Sequence, residues 1–434
     1  MAEEGPRAAG GGAGRSNRVV TGLAVLGFYL LLLVFAEGAL RTLFWLSDRG
    51  GRAAPADAPR DESRARLPAY GGADYDPVET WRELWQATDE WLAYQPYTVW
   101  SRRDHGRLVS VDEEGHRRTL PRPEDPAVPE LWTFGGSTTW GMGVPDAHTM
   151  PSQLAAEFAR WGVDVRVRNL GKTGFVSTQE VLLLIRELQR GRRPTWVVVY
   201  DGANEGIGSA EAPAQTNPHY LQNRIASLFE GSAGVTESPL RRILEGSGIN
   251  RLAGALRRRL GLGGGAASGP SGRQDWRTQP PDGARGADWL LANYGFVEDL
   301  AAAYDFEAWL FFQPRLGIGE KPLHPSEVEL LDEVRADPEH AWILDFTEQL
   351  QAGVRRRIAE GSAPARLVDI SDLYADVDEA VYIDWVHVTH RGNRRIAARI
   401  FETLRPALCR GRDGVEPARA RRQLERACRA GEAD

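Results

Sequence analysis

Three hydrophobic patterns divide the chain. The first is a run without charge: Val19 to Ala36 reads VVTGLAVLGFYLLLLVFA, bounded by Arg18 and Glu37. Its length is near the lower limit for a helix crossing a hydrocarbon core of about 30 Å. A second apolar patch, Leu40 to Leu46, extends the span to residues 19–46 and sets Trp45 at headgroup level. A cleaved signal peptide has a similar layout, and the Ala-rich stretch from Ala53 to Ala58 keeps that alternative in view. The run is longer than a usual signal core, however, and no A-x-A site follows it directly, so an uncleaved anchor is the expectation. Arg7, Arg15 and Arg18 flank one side and Arg41, Arg49 and Arg52 the other, so the Lys/Arg count leaves orientation open.

The second pattern begins at Leu131, where short apolar runs alternate with helical spacing. Leu131–Phe134 ends in two glycines, and a helix is predicted from about Met150 to Trp161. Val163–Asn169 alternates as a strand does, and Thr178–Gln189 reads as a helix. Trp196–Tyr200, WVVVY, is the continuous run of a strand buried on both faces. Further on come a strand at Phe306–Gln313, a helix around His340–Ile358, a strand at Arg366–Ile370 and a last helix from about Gly392 to Leu404. Strands alternating with helices imply βαβ units and a parallel sheet covered on both faces. Such sheets bind ligands at the carboxyl ends of their strands.

The third pattern is the lack of one. After an N-terminal tail (1–18) and the anchor, residues 47–67 are rich in Arg, Ala, Asp and Pro and read as a linker. Residues 68–128 form an aromatic extension (Trp81, Trp85, Trp91, Tyr94, Tyr97, Trp100) with a strand expected at Arg107–Asp112. The main domain is placed at 129–405, interrupted by an insertion at about 206–288 that holds a Gly/Ser/Pro stretch. Residues 406–434 are a charged tail, expected to be a surface helix.

Composition changes this picture little. The 434 residues carry 53 basic and 60 acidic side chains, a net charge of −7, which argues against nucleic acid as a partner. Hydrophobic residues at 42% and charged residues at 26% are ordinary for a globular chain. Two cysteines, Cys409 and Cys428, exclude a disulfide scaffold and any multi-cysteine zinc ribbon. They suit one disulfide outside the cytoplasm or two free thiols equally well.

Four strand ends carry candidate chemistry. Gly135-Gly136-Ser137-Thr138-Thr139-Trp140-Gly141 puts a serine in a glycine-rich turn, where bare N–H groups can face an oxyanion; a phosphate loop or a plain turn reads the same way. No Lys follows at the spacing a Walker loop requires. Asn169-Leu170-Gly171-Lys172-Thr173-Gly174 alone reads as a turn. Asp201-Gly202-Ala203-Asn204 offers an amide donor or, equally in character, a turn residue. Asp384-Trp385-Val386-His387 spaces an acid so that it can fix the imidazole tautomer, unless it merely caps the next turn. His390 reads as part of the helix start. No other His, Cys or carboxylate cluster has metal-ligand spacing.

In that order the four blocks resemble the SGNH (GDSL-like) hydrolase superfamily, over roughly Leu131 to Leu404. A GGSTT motif behind a membrane helix is similar to its membrane-anchored members. The resemblance implies a three-layer α/β/α fold with a doubly wound, flavodoxin-like parallel sheet. It also implies Ser137 as nucleophile, His387 as base and Asp384 as its orienting acid. The oxyanion hole it implies comprises the N–H of Ser137, the N–H of Gly174 and the side chain of Asn204, with Gly171 a competing candidate. One departure is Gly136, where the family's eponymous motif has Asp; that Asp is no triad member. Trp140 and Trp385 are candidate pocket walls, or packing residues.

The expected activity is a membrane-anchored serine esterase that uses neither cofactor nor metal. Its expected substrate is an acyl or acetyl ester of a small molecule, a glycan or another envelope component, met outside the cytoplasm. The same residues suit an O-acyltransferase, and an anchored non-catalytic binding protein is the reading from a different class.

Overall fold

The computed structural model describes residues 63–86, 92–102, 106–205, 282–337, 341–410 and 418–431, with isolated positions between them. These belong, Phe28 apart, to one compact unit, residues 60–227 and 274–434. The anchor expected at 19–46 and most of the insertion lie outside the described residues. Among the described residues no helix is long and apolar enough to cross a membrane.

Five parallel strands form the central sheet: β3 (Glu130–Gly135), β4 (Arg166–Asn169), β5 (Trp196–Asp201), β6 (Glu307–Phe312) and β7 (Leu367–Asp369). Their spatial order is β4-β3-β5-β6-β7. The chain thus starts in the interior, steps outward to β4, and returns across β3 to build the other half, the doubly wound order with a switch point between β3 and β5. Ahead of the sheet lie a helix, α1 (Pro77–Gln86), and a separate antiparallel hairpin of β1 (Leu92–Gln95) and β2 (Val99–Arg102).

The period of two along each strand sorts side chains into two cores. On one face Leu131, Trp196, Val198, Tyr200, Trp309 and Phe311 pack with helices α3 (Met150–Arg160), α6 (Pro325–Ala336), α8 (His390–Arg410) and α9 (Ala418–Gly431). On the other Trp132, Phe134, Val197, Val199, Leu310 and Phe312 pack with α4 (Ser177–Gln189), α5 (Gly283–Tyr304) and α7 (Trp342–Ala359). Every residue of β5 is buried, as its continuous apolar run requires. Helix α8 buries Ile396, Ile400, Leu404 and Leu408, spaced four apart, and leaves its arginines outward. A third cluster joins Ala65, Ala69, Tyr70, Trp81 and Leu84 to Trp140 and Ile383, and so seats the N-terminal extension on the carboxyl edge of the sheet.

Several boundaries differ from the sequence reading. Residues 63–67, expected in the linker, are folded, with a 3-10 turn at Arg64–Arg66. No strand forms at Arg107–Asp112; a single bridge joins Val111 to Arg117. The insertion ends earlier than 288, because α5 begins at Gly283, where Asp282 accepts from the Arg285 N–H. Helix α6, absent from the sequence reading, starts at Pro325 behind His324 and carries Glu327 in its first turn. Helix α8 runs past 405 to Arg410, and Cys409 is bridged to Cys428 of α9.

Helices α5 and α7 touch at small residues. A Cβ on Gly353 would lie 2.7 Å from the Cβ of Ala287, a distance no rotamer can relieve. Alanine at an exposed helix site gains up to about 1 kcal/mol over glycine. Here we expect overpacking of about 1–3 kcal/mol to outweigh that gain. Gly353→Ala should therefore melt at lower temperature than the parent; an unchanged or higher Tm would show that the helices separate freely.

Candidate active site

Strand β3 ends against crowded backbone. Gly135 has φ +149°, and a Cβ there would stand 2.2 Å from both Thr139 Oγ1 and the Tyr200 carbonyl. The chain then turns into a four-residue helix, α2 (Ser137–Trp140), whose first residue is Ser137. Neighbouring strands fix this turn: Thr139 donates to the Tyr200 carbonyl at 3.1 Å, and Asn169 donates from Nδ2 to the carbonyls of Thr139 and Trp140. Asn169 thus braces the Ser137 turn from β4. Its Oδ1 accepts the Gly171 N–H at 3.0 Å, which commits that N–H and removes Gly171 as an oxyanion donor.

Gly174 lies in the same loop, in the left-handed region at φ +74°. The loop is held from β5: Asn204 donates from Nδ2 to the Phe175 carbonyl at 2.7 Å, and Glu205 accepts the Ser177 N–H at 2.8 Å. Asn204 Nδ2 also crowds Gly136. A Cβ on Gly136 would lie 2.2 Å from that nitrogen, so a larger residue there has to displace the amide.

His387 and Asp384 sit on a tight loop ahead of α8. Tyr382 and Val388 form an antiparallel bridge, and the Ile383 N–H reaches the His387 carbonyl at 2.9 Å. Asp384 Oδ1 accepts the N–H groups of Val386 and His387 at 2.9 and 2.8 Å. The start of the loop is anchored by Glu327 of α6, which is fully buried, pairs with Lys321 at 2.7 Å and accepts the N–H groups of Val381 and Tyr382.

This brings the sequence-predicted residues together across 250 positions. His387 Nε2 is 2.7 Å from Ser137 Oγ, and His387 Nδ1 is 2.7 Å from Asp384 Oδ2. Burial opposes ionisation of Asp384, but the charge of the His387 ring, its hydrogen bond and the Arg64 guanidinium outweigh it. Together they hold the carboxyl well below the usual carboxylate range. Arg64 was missed by the sequence reading: it donates from Nη1 to Asp384 Oδ2 at 3.1 Å.

The two tryptophans part company. Trp385 is half-buried beside His387. Trp140 is fully buried, with the guanidinium groups of Arg102 and Arg117 at 4.4 and 4.3 Å from its ring, so it packs. His390 is buried at the start of α8, in ring contact with Tyr75 and His148.

Elsewhere the fold collects charge that sequence spacing could not show. Glu114, His116 and Glu187 converge with metal-like geometry. Arg192 and Arg190 already hold these carboxylates, however, and Lys172 Nζ is buried beside them against the Gly115 carbonyl. The cluster reads as an ion-pair network. A cleft of about 790 Å³ runs along β4 past this network, and neither Ser137 nor His387 lines it.

Behind Asn204 lie three buried acids, Glu180, Asp201 and Glu205. Burial, then the charge of Glu205, pushes the Glu180 carboxyl well above its usual range; burial and both glutamates do the same to Asp201; burial raises Glu205.

No family model and no curated protein matches the sequence. Among solved structures the chain is similar to a carbohydrate acetylesterase from Sinorhizobium meliloti, at 10% identity over 64% of this chain and 99% of that one, with a TM-score of 0.34. It is also similar to a member of the lipolytic G-D-S-L family from Veillonella parvula (14%, over 63% and 96%, TM-score 0.31). A third is a lipase/acylhydrolase from Enterococcus faecalis (13%, over 64% and 95%, TM-score 0.33).

The acid cluster gives a stability test. Unfolded, these acids lose their protons near about pH 4; folded, they keep them to higher pH. The folded state then binds more protons than the unfolded one, so stability falls as pH rises above that point. Glu180→Gln removes one such acid while keeping its shape. It should raise Tm at about pH 8 by roughly 2–4 °C and change little at about pH 4. A lower Tm at the higher pH would mean that Glu180 is ionised and needed as such.

Proposed function

We propose that the chain is a serine esterase whose nucleophile is Ser137, whose general base is His387 and whose orienting acid is Asp384. The observation that carries this is the continuous contact from Ser137 Oγ through the imidazole to Asp384, at the carboxyl edge of the sheet. With Asp384 fixing Nδ1 as a donor, Nε2 is left to accept the Ser137 proton. Ser137 Oγ attacks the ester carbonyl carbon while its proton passes to His387 Nε2. The tetrahedral intermediate collapses, the alcohol leaves with that proton, and an acyl-Ser137 remains. Water attacks the acyl-Ser137 carbonyl, giving its proton to His387; the intermediate collapses, Ser137 Oγ leaves and takes that proton back, and the acid is released.

The oxyanion donors in this reading are the N–H groups of Ser137 and Gly174 and the amide of Asn204. They meet charge that develops only in the transition state, so they act on turnover more than on binding. Trp385 forms one wall of the acyl pocket in this reading. We place the catalytic domain outside the cytoplasm, held by the apolar segment at 19–46; the Cys409–Cys428 bridge supports such a compartment. The substrate class proposed is an acyl or acetyl ester of a small molecule, a glycan or another envelope component. Transfer to a sugar hydroxyl uses the same acyl-Ser137, so the acceptor alone separates an esterase from an O-acyltransferase.

Hydrolysis of p-nitrophenyl acetate by the full chain tests the reading. Ser137→Ala and His387→Ala should each lose at least about a thousandfold in kcat, Ser137→Ala with Tm unchanged. Asn204→Ala should lose about a hundredfold in kcat with KM little altered. Full activity in Ser137→Ala overturns the esterase proposal, and product dominated by acyl-sugar when a sugar is supplied reassigns the chain as a transferase.

Membrane attachment has its own check. Full-length protein should stay with membranes through an alkaline carbonate wash and come off in detergent, whereas a chain lacking residues 1–46 should remain in the supernatant. Release of the full chain by carbonate contradicts the anchor.

A further inference from the structure

We propose that Arg64 is a positioning residue of this site, which makes the segment that follows the N-terminal region a working part of the catalytic machinery. The proposal rests on the esterase reading above. The Asp384 carboxylate is surrounded: Oδ1 takes two backbone N–H groups, and Oδ2 takes both His387 Nδ1, at 2.7 Å, and Arg64 Nη1, at 3.1 Å. One oxygen is therefore shared between the catalytic ring and a cation from 320 residues earlier.

Arg64 is held there by more than its charge. The turn Arg64–Arg66 buries Ala65, and the next turn, Pro68–Tyr70, buries Ala69 and Tyr70. The Tyr70 hydroxyl donates to the Gly143 carbonyl at 2.8 Å and accepts from Trp81 Nε1 at 2.9 Å. Ala65, Ala69 and Tyr70 share one apolar cluster with Trp140, three residues past the nucleophile, and with Ile383, next to Asp384. The segment thus wedges between the two loops that carry the reacting side chains.

The chemical consequence has a sign. A guanidinium on Oδ2 draws on the same lone pairs as the Nδ1–H and opposes a positive charge on the ring. It keeps the carboxylate ionised and turned toward His387. The titratable groups facing Asp384 are His387, Arg64 and Tyr70. Tyr70 is neutral throughout, because burial pushes its proton affinity far up. Removing Arg64 leaves the whole carboxylate charge to the ring, so a higher pH is needed to free the base. Arg64 is 42% exposed, so solvent screens the effect and keeps it modest.

The test is kcat/KM for p-nitrophenyl acetate, measured on the full chain from about pH 5 to 9, for the parent, Arg64→Gln and Arg64→Lys. The acid limb of Arg64→Gln should move up by roughly 0.5 pH unit, a loss about threefold larger at the acid end than on the plateau. Arg64→Lys, which keeps the charge, should stay close to the parent limb, and added salt should narrow the gap between Gln and parent. A purely structural arginine would lower the whole profile without moving the limb. An unmoved limb in Arg64→Gln, or an equal shift in Arg64→Lys, overturns the proposal while leaving the triad standing. A parent enzyme with no esterase activity overturns both.

Discussion

A carboxylate cannot stay ionised inside a protein unless its lost hydration is replaced group by group. Asp384 is buried and held ionised, and much of the site's architecture serves that condition. Two backbone N–H groups require the tight turn of residues 384–387. The imidazole requires His387 three positions on. The guanidinium requires a segment from the far end of the chain. The turn in turn needs an anchor, and Glu327 of α6 supplies it by accepting two N–H groups just upstream.

The same sheet edge solves the buried-acid problem a second way. Burial pushes Glu180, Asp201 and Glu205 toward the protonated form, and repulsion among the acids adds to it for Glu180 and Asp201. Neutral acids can pack, and Glu205 still accepts the Ser177 N–H at the loop that carries Gly174. Within one edge of the sheet, one acid is held ionised and three are pushed toward their protonated forms. Their environments, not their residue types, make the difference.

What the sequence could tell followed from locality. WVVVY announced a strand buried on both faces, and the structure buries all of β5. The four blocks were visible because each is contiguous; the first three follow strands, so βαβ topology carries them to one edge, and the fourth precedes α8 on a loop that Glu327 anchors. Arg64 was invisible for the opposite reason: its stretch has no periodicity, and its partner lies 320 residues away. Trp140 looked like a pocket wall because it neighbours Ser137, yet two arginines brought from the extension enclose it. Arg107–Asp112 has strand-like residues but finds only a single bridge, since Asp112 instead takes the His116 N–H into a turn. Helix α6 was missed because its first turn is polar and its buried face, Leu330 and Leu331, is narrow.

The central claim is that Ser137 is a nucleophile activated by His387, and covalent trapping reads that directly. Full-length protein treated with a fluorophosphonate should gain the mass of one phosphonyl group, and peptide mapping should place it on Ser137. His387→Ala should label far more slowly, and Ser137→Ala not at all. A parent chain that stays unmodified, or a Ser137→Ala chain that labels as well as the parent, would contradict the account.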